Sequence, residues 1–175
     1  SAMVLAGLGS SGVAGRSGRV EGRGGKRSVD GVRGRVEAAV GCNRAEVVFT
    51  SGATEAALML GLLSGGADVL VDEMSHDALW AHVRMSGLGE TPTREHTLAM
   101  GLANGETGLI TPAPQKVDGQ WSFGETRADW LMLDVTQAVG RIPFAFSWSG
   151  ADFAVLSGHK FGGPKGVGVL IVRDN

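Results

Sequence analysis

Lys160 follows an apolar run in the stretch Ala154-Val155-Leu156-Ser157-Gly158-His159-Lys160, and a glycine-rich turn through Gly163-Pro164-Lys165-Gly166 comes next. A lysine at the end of a buried strand can lose its proton, because burial disfavours the ammonium ion. The neutral amine can then condense with a carbonyl group. Ser157 and His159 place a hydroxyl and an imidazole beside it, both suited to an anion. Lys165 is the competing amine, but its place inside the turn predicts a solvated side chain.

Three further segments carry compatible chemistry. Thr50-Ser51-Gly52-Ala53-Thr54-Glu55 joins a strand to a helix start, where free N–H groups and the helix dipole suit a phosphate. The same residues also read as an ordinary helix cap. Asp134, in Leu133-Asp134-Val135-Thr136-Gln137, is an acid at the end of an apolar strand. It can keep a pyridinium nitrogen protonated, or simply cap the next turn. Gln137 can donate to a ring oxygen. His76, in Met74-Ser75-His76-Asp77, opens a helix after a strand, where an imidazole can lie on an aromatic ring and carry protons. It can equally be a packed cap, the reading kept for His82 and His96. Taken together, the four segments fit one cofactor, pyridoxal 5′-phosphate.

The elements that must position these residues follow from hydrophobic pattern. Strands are expected at 46–50, 68–72, 96–103, 129–134, 152–157 and 167–173. Helices are expected from Ser28 to about Gly41, over 53–63 and over 76–85. Alternating strands and helices predict an α/β fold, a mostly parallel sheet flanked by helices. The polar residues then fall at strand C-terminal ends, where open α/β sheets bind ligands. Residues 1–27, rich in Gly, Ser and Arg, read as a flexible arm ahead of a core spanning 28–175. Residues 112–127 show little helical period.

Composition narrows the function classes. The 175 residues suffice for one well-buried domain, and the net charge of −2 gives no basic field for nucleic acid. The longest apolar run, near Ala56–Leu63, is too short to cross a bilayer, so no membrane is expected. The N-terminal residues lack the basic region of a secretory signal, and the single cysteine fits a reducing compartment; a cytoplasmic location is expected. No metal site is expected. Gly7-Leu8-Gly9-Ser10-Ser11-Gly12 meets the dinucleotide pattern without a preceding strand or following helix. The arm's Arg16, Arg19, Arg23, Lys26 and Arg27 have no interleaved aromatics to stack bases, so no nucleic-acid partner is expected.

Phe49-Thr50-Ser51-Gly52-Ala53-Thr54-Glu55, Asn104-Gly105-Glu106-Thr107-Gly108, Asp134-Val135-Thr136-Gln137-Ala138-Val139-Gly140 and Ser157-Gly158-His159-Lys160 occur in the order seen in one family. The chain resembles the class V aminotransferases of fold type I, specifically the cysteine desulfurases. The resemblance implies Lys160 as the Schiff-base lysine, Asp134 at the pyridine nitrogen and Gln137 at the ring hydroxyl. It also implies His76 stacked on the ring as a second catalytic residue. Ala53, Thr54, Ser157 and His159 would meet the phosphate. It further implies an amino-acid substrate, L-cysteine first, a homodimer and a sulfur-acceptor protein.

The departures from that family are specific. Gly105 stands where the family usually has a second asparagine. Residues 112–127 replace an amphipathic helix, and little chain separates His76 from Asn104. No counterpart of the family's small C-terminal domain is expected within residues 28–175. Cys42, the only cysteine, does not match the sulfur-accepting position and reads as a buried thiol. Two alternatives stay open: a non-catalytic scaffold that has kept the motifs, and a different pyridoxal-phosphate lyase or aminotransferase.

Overall fold

Leu131, Met132 and Leu133 are fully buried in succession, and so are Ala154 and Val155, with Leu156 only 2% exposed. A strand covered on one face alternates buried and exposed residues; consecutive burial means that both faces are covered. In the computed structural model, which describes residues 20–43, 45–63, 68–72, 75, 79–80 and 95–174, these runs are the central strands of a layered sheet.

The elements in chain order are helix α1 (Val20–Ala39), strand β1 (Ala45–Thr50), helix α2 (Ala53–Leu63), β2 (Asp68–Val71) and β3 (His96–Gly101). There follow β4 (Gln115–Val117), β5 (Gln120–Phe123), β6 (Thr126–Ala128) and β7 (Trp130–Asp134). A short helix α3 (Phe146–Ser149), β8 (Phe153–Ser157), a 3-10 turn (Gly158–Phe161) and β9 (Gly168–Arg173) complete the order. The main sheet runs β1-β9-β8-β7-β3-β2. The pairings β2–β3, β3–β7 and β7–β8 are parallel, and β9 is antiparallel to both β8 and β1. The expected mostly parallel α/β sheet is therefore observed, and its strand bounds agree with expectation to within two residues.

Side chains sort to the two faces with a period of two. Leu98, Met100, Leu131, Leu133, Ala154, Leu156, Val169 and Ile171 share a cluster with Val32, Val36 and Val40 of α1. The intervening Ala99, Met132, Phe153, Val155 and Leu170 pack in a second cluster with Ala56 and Ala57 of α2. Each fully buried Leu, Ile or Val contributes about 1.5–3 kcal/mol relative to exposure, so this double-sided burial dominates the sheet's stability.

Helix α1 begins at Val20, not at Ser28, so residues 20–27 of the expected arm are its first turns. Helix growth is cooperative. Once Val32, Val36 and Val40 are packed, each added turn costs little, even through glycine at roughly 1 kcal/mol each. The part of that arm at 1–19, with the Gly7–Gly12 pattern, lies outside the described residues. Most of the expected 76–85 helix does too. Among the described residues no helix is long and apolar enough to cross a membrane.

Residues 112–127 hold a feature that helical period does not reveal. Strands β4, β5 and β6 form a separate three-stranded antiparallel sheet. Val117 pairs with Gln120 across Asp118-Gly119, whose φ values of 51° and 85° are both positive, as a type I′ hairpin turn demands. Trp121 docks this sheet onto the core. It is 4% exposed, its indole Nε1–H donates to Asp152 Oδ2 at 3.0 Å, and Gly150 leaves room for its ring. The same carboxylate oxygen accepts the Leu131 N–H at 2.8 Å, tying the hairpin to strand β7. Trp121→Ala is expected to lower unfolding stability by about 3–5 kcal/mol, the usual cost of truncating a buried aromatic. Urea unfolding of the variant measures it; an unchanged midpoint would mean that the small sheet does not contribute to the core.

Candidate functional site

Strands β3 and β7 end together at one edge, with Gly101 opposite Asp134, and Asp134 is paired in turn with Val155 of β8. Beyond that edge the chain turns polar, and the loops enclose a cleft of about 690 Å³. Seven of the residues singled out by sequence line it: Ala53, Thr54, Asp134, Gln137, Ser157, His159 and Lys160. His76 lies outside the described residues. Its neighbour Ser75 lines the cleft, and Ser75 Oγ accepts the Gly101 N–H at 3.1 Å.

One wall is the β1–α2 turn. Thr50 Oγ1 donates to the Gly52 carbonyl at 2.9 Å, and the helix's first hydrogen bond runs from Ala56 N–H to the Gly52 carbonyl. Helix geometry leaves the N–H groups of Ala53, Thr54 and Glu55 without intrahelical partners, at the positive end of the dipole. Strand β9 closes on this turn from behind. A Cβ at Gly168 would lie 2.5 Å from Gly52 Cα, so only glycine allows the approach. Glu55 reaches back to the turn, where its Oε2 accepts the Ser51 N–H at 2.5 Å.

The floor is the β7 end. Asp134 is 7% exposed, and its Oδ1 accepts the Thr136 N–H at 2.9 Å, so the carboxylate is fixed by its own turn. Thr136 is buried as well, and its Oγ1 accepts the Ser157 N–H at 3.2 Å. That bond fastens the acid's loop to the lysine's loop. Gln137 follows half-buried at the cleft wall.

The opposite wall is the β8 exit. Ser157 is buried, and its Oγ lies 2.9 Å from His159 Nδ1. The strand stops at Ser157, and the 3-10 turn carries His159 and Lys160 outward, where both are exposed. The expectation that Lys160 is buried at a strand end is corrected here: the strand ends at Ser157, burial ends at Gly158, and Lys160 is exposed. Lys165 is exposed as expected, yet it lines the same cleft.

Arg141 holds this turn in place, and sequence reasoning missed it. Its guanidinium donates to the Thr136 carbonyl at 3.3 Å and to the carbonyl of Lys160 itself. Nothing in the local pattern marks such a contact, since it joins residues 19 apart. Glu55 was also missed as part of the wall; a carboxylate three residues after a cap was its available signal. Cys42 is buried away from the cleft lining, and burial pushes its thiol up, with the Glu37 charge adding to the effect.

Hydrogen bonding by Ser51 holds the Glu55 carboxyl below its usual range, through the side-chain contact first and the backbone N–H second. A carboxyl lowered in the folded state stabilises it above the unfolded value, about 4.3, and loses that effect as pH falls through the folded value. Glu55→Gln is therefore expected to melt lower than wild type near neutral pH, with the difference vanishing in acid. Melting curves between pH 7 and 2 check this; a pH-independent difference contradicts it.

The polar groups suit a phosphorylated aromatic ring: N–H donors at one wall, a buried carboxylate acceptor at the floor and an amine at the mouth. Residues 94–175 match the family model described as Aminotransferase class-V. A cysteine desulfurase of Frankia sp. is 32% identical over 185 residues, covering 85% of this chain and 43% of the relative. An IscS-like cysteine desulfurase of Mycobacterium tuberculosis is 28% identical, with coverages of 87% and 46%. The chain thus spans less than half the length of these relatives. Among solved structures, a NifS-like protein from Rickettsia africae superimposes with a TM-score of 0.73 at 20% identity, covering 97% of this chain and 53% of its own. The structure titled SspA in complex with cysteine gives 0.74 at 19%, with coverages of 98% and 58%.

Proposed function

We propose that this cysteine desulfurase-like chain of the class V aminotransferase type forms the cofactor-binding core of an enzyme that uses pyridoxal phosphate on an amino acid, with L-cysteine the first candidate. The observation that carries this reading is the convergence of Ala53, Thr54, Asp134, Gln137, Ser157, His159 and Lys160 on one cleft. These residues come from three separate strand ends and the turns that follow them, and their chemistry fits the cofactor part by part.

The N–H groups that open α2, with the Thr54 hydroxyl, would hold the phosphate, and Ser157 and His159 would complete that pocket. Asp134 would keep a proton on the ring nitrogen. Its burial and its bond from Thr136 N–H suit that role, because a fixed carboxylate needs no reorganisation as charge develops. Gln137 would donate to the ring oxygen. When bound, the cofactor supplies an aldehyde for amine condensation and a ring that draws electrons from the substrate's α-carbon. Lys160 Nζ would hold the cofactor covalently and, once a substrate amine has displaced it and freed its own amine, would accept the α-proton, with Arg141 holding its backbone in reach. His76 is proposed to lie on the ring. A homodimer, a sulfur-acceptor protein and a cytoplasmic setting belong to the same proposal. Sulfur transfer needs a thiol at the cleft, and Cys42 does not line it.

Titration of the chain with pyridoxal phosphate is expected to give a near-ultraviolet or visible band that disappears in Lys160→Ala. Asp134→Asn is expected to weaken binding by about tenfold or more, as loss of a charge-assisted hydrogen bond would. Identical spectra for wild type and Lys160→Ala would refute the role of Lys160, and an absence of binding would favour a non-catalytic scaffold.

A further inference from the structure

Gly105 and Gln137 face each other across the cleft wall, and the space between them is smaller than a methyl group. A Cβ built at Gly105 would lie 2.6 Å from Gln137 Nε2, 2.7 Å from Cδ and 3.1 Å from Oε1. The backbone at Gly105 lies outside the left-handed region, so it does not itself require glycine. What leaves no room for a Cβ is the Gln137 carboxamide in its present place.

Both backbones are braced by local hydrogen bonds. The loop carrying Gly105 is tied on both sides: Asn104 Oδ1 accepts the N–H groups of Glu106 at 2.9 Å and Thr107 at 3.0 Å. The Asn104 carbonyl accepts Gly108 N–H, and Asn104 N–H donates to the Leu109 carbonyl, both at 2.9 Å. On the other side, Thr136 is held by Asp134, Ser157 and Arg141, and the N–H groups of Ala138 and Val139 both return to the Val135 carbonyl. The one soft part is the Gln137 side chain. Any side chain at 105 would drive that carboxamide from 2.6 Å out to ordinary contact, 3.4 Å or more.

We infer that Gly105 is the positioning residue for Gln137: by lacking a side chain it admits the carboxamide to the cleft wall and sets where its N–H groups point. The consequence for ligand binding rests on the cofactor reading above, in which Gln137 donates to the ring oxygen. Displacement of a positioned group by about 1 Å is enough to lose its function.

The test uses the whole chain with Gly105→Ala, Gln137→Ala and the double variant, with Gly105→Ser as a second probe of the same space. Circular dichroism establishes that each variant is folded. Without cofactor, the Gln137 side-chain amide resonances are expected to shift in Gly105→Ala; unmoved resonances overturn the inference. With pyridoxal phosphate, Gly105→Ala is expected to bind about 3- to 10-fold more weakly, the loss of one neutral hydrogen bond. The double variant should be no weaker than Gln137→Ala. Additive losses, or wild-type binding by Gly105→Ala, overturn it. Should wild type bind no pyridoxal phosphate, the cofactor reading fails, while the resonance shift still decides the Gly105–Gln137 pairing.

Discussion

The structure depends on a requirement of buried parallel strands: their backbone groups must be paired inside an apolar layer, and pairing has to stop where the apolar side chains stop. In this chain the stop is shared. Gly101, Asp134 and Ser157 are the last residues of β3, β7 and β8, and they end on the same edge. Covering both faces favours polar groups at the strand ends over the middle of the layer. A carboxylate, a hydroxyl and, after one short turn, an amine are thereby delivered to a common place by the packing of Leu131, Leu133, Ala154 and Leu156. The site is a consequence of where the core runs out.

Close to that edge, loops are held by side chains in place of ladder bonds. Thr136 is the hinge of this arrangement. Its N–H meets Asp134, its hydroxyl accepts from Ser157, and its carbonyl accepts from Arg141, which also holds the Lys160 carbonyl. Acid, hydroxyl and lysine turn are therefore linked to one another through hydrogen bonds of Thr136 and Arg141. Two glycines set the remaining clearances: Gly168 lets β9 close behind the β1–α2 turn, and Gly105 leaves the wall open to Gln137. Preorganisation here rests on small side chains and backbone bonds as much as on the groups that would touch a ligand.

Much of this was legible in the residues themselves. Consecutive apolar runs marked β7, β8 and β9, and the switch from apolar to Asp134 or to Ser157-Gly158-His159-Lys160 marked the strand ends. Strand-to-helix chemistry at Thr50–Glu55 located one wall of the cleft. What escaped was tertiary or cooperative. Helix α1 extends to Val20 because packing further along pays its nucleation cost, which a local cap at Ser28 could not reveal. The β4–β6 sheet was signalled by Asp118-Gly119 between Lys116-Val117 and Gln120-Trp121, but short polar strands give too weak an alternation to stand out. Exposure of Lys160 followed from the 3-10 turn, whose geometry the glycine-rich sequence left open. Arg141 acts through two backbone carbonyls, and backbone contacts leave no trace in residue type.

The central claim is that Lys160, and not the neighbouring Lys165 of the same cleft, is the reactive amine. Borohydride reduction of the chain with bound pyridoxal phosphate, followed by proteolysis and mass mapping, tests it most directly. The account predicts a single modified peptide labelled at Lys160. Label at Lys165, or spread evenly over the exposed lysines, would contradict it.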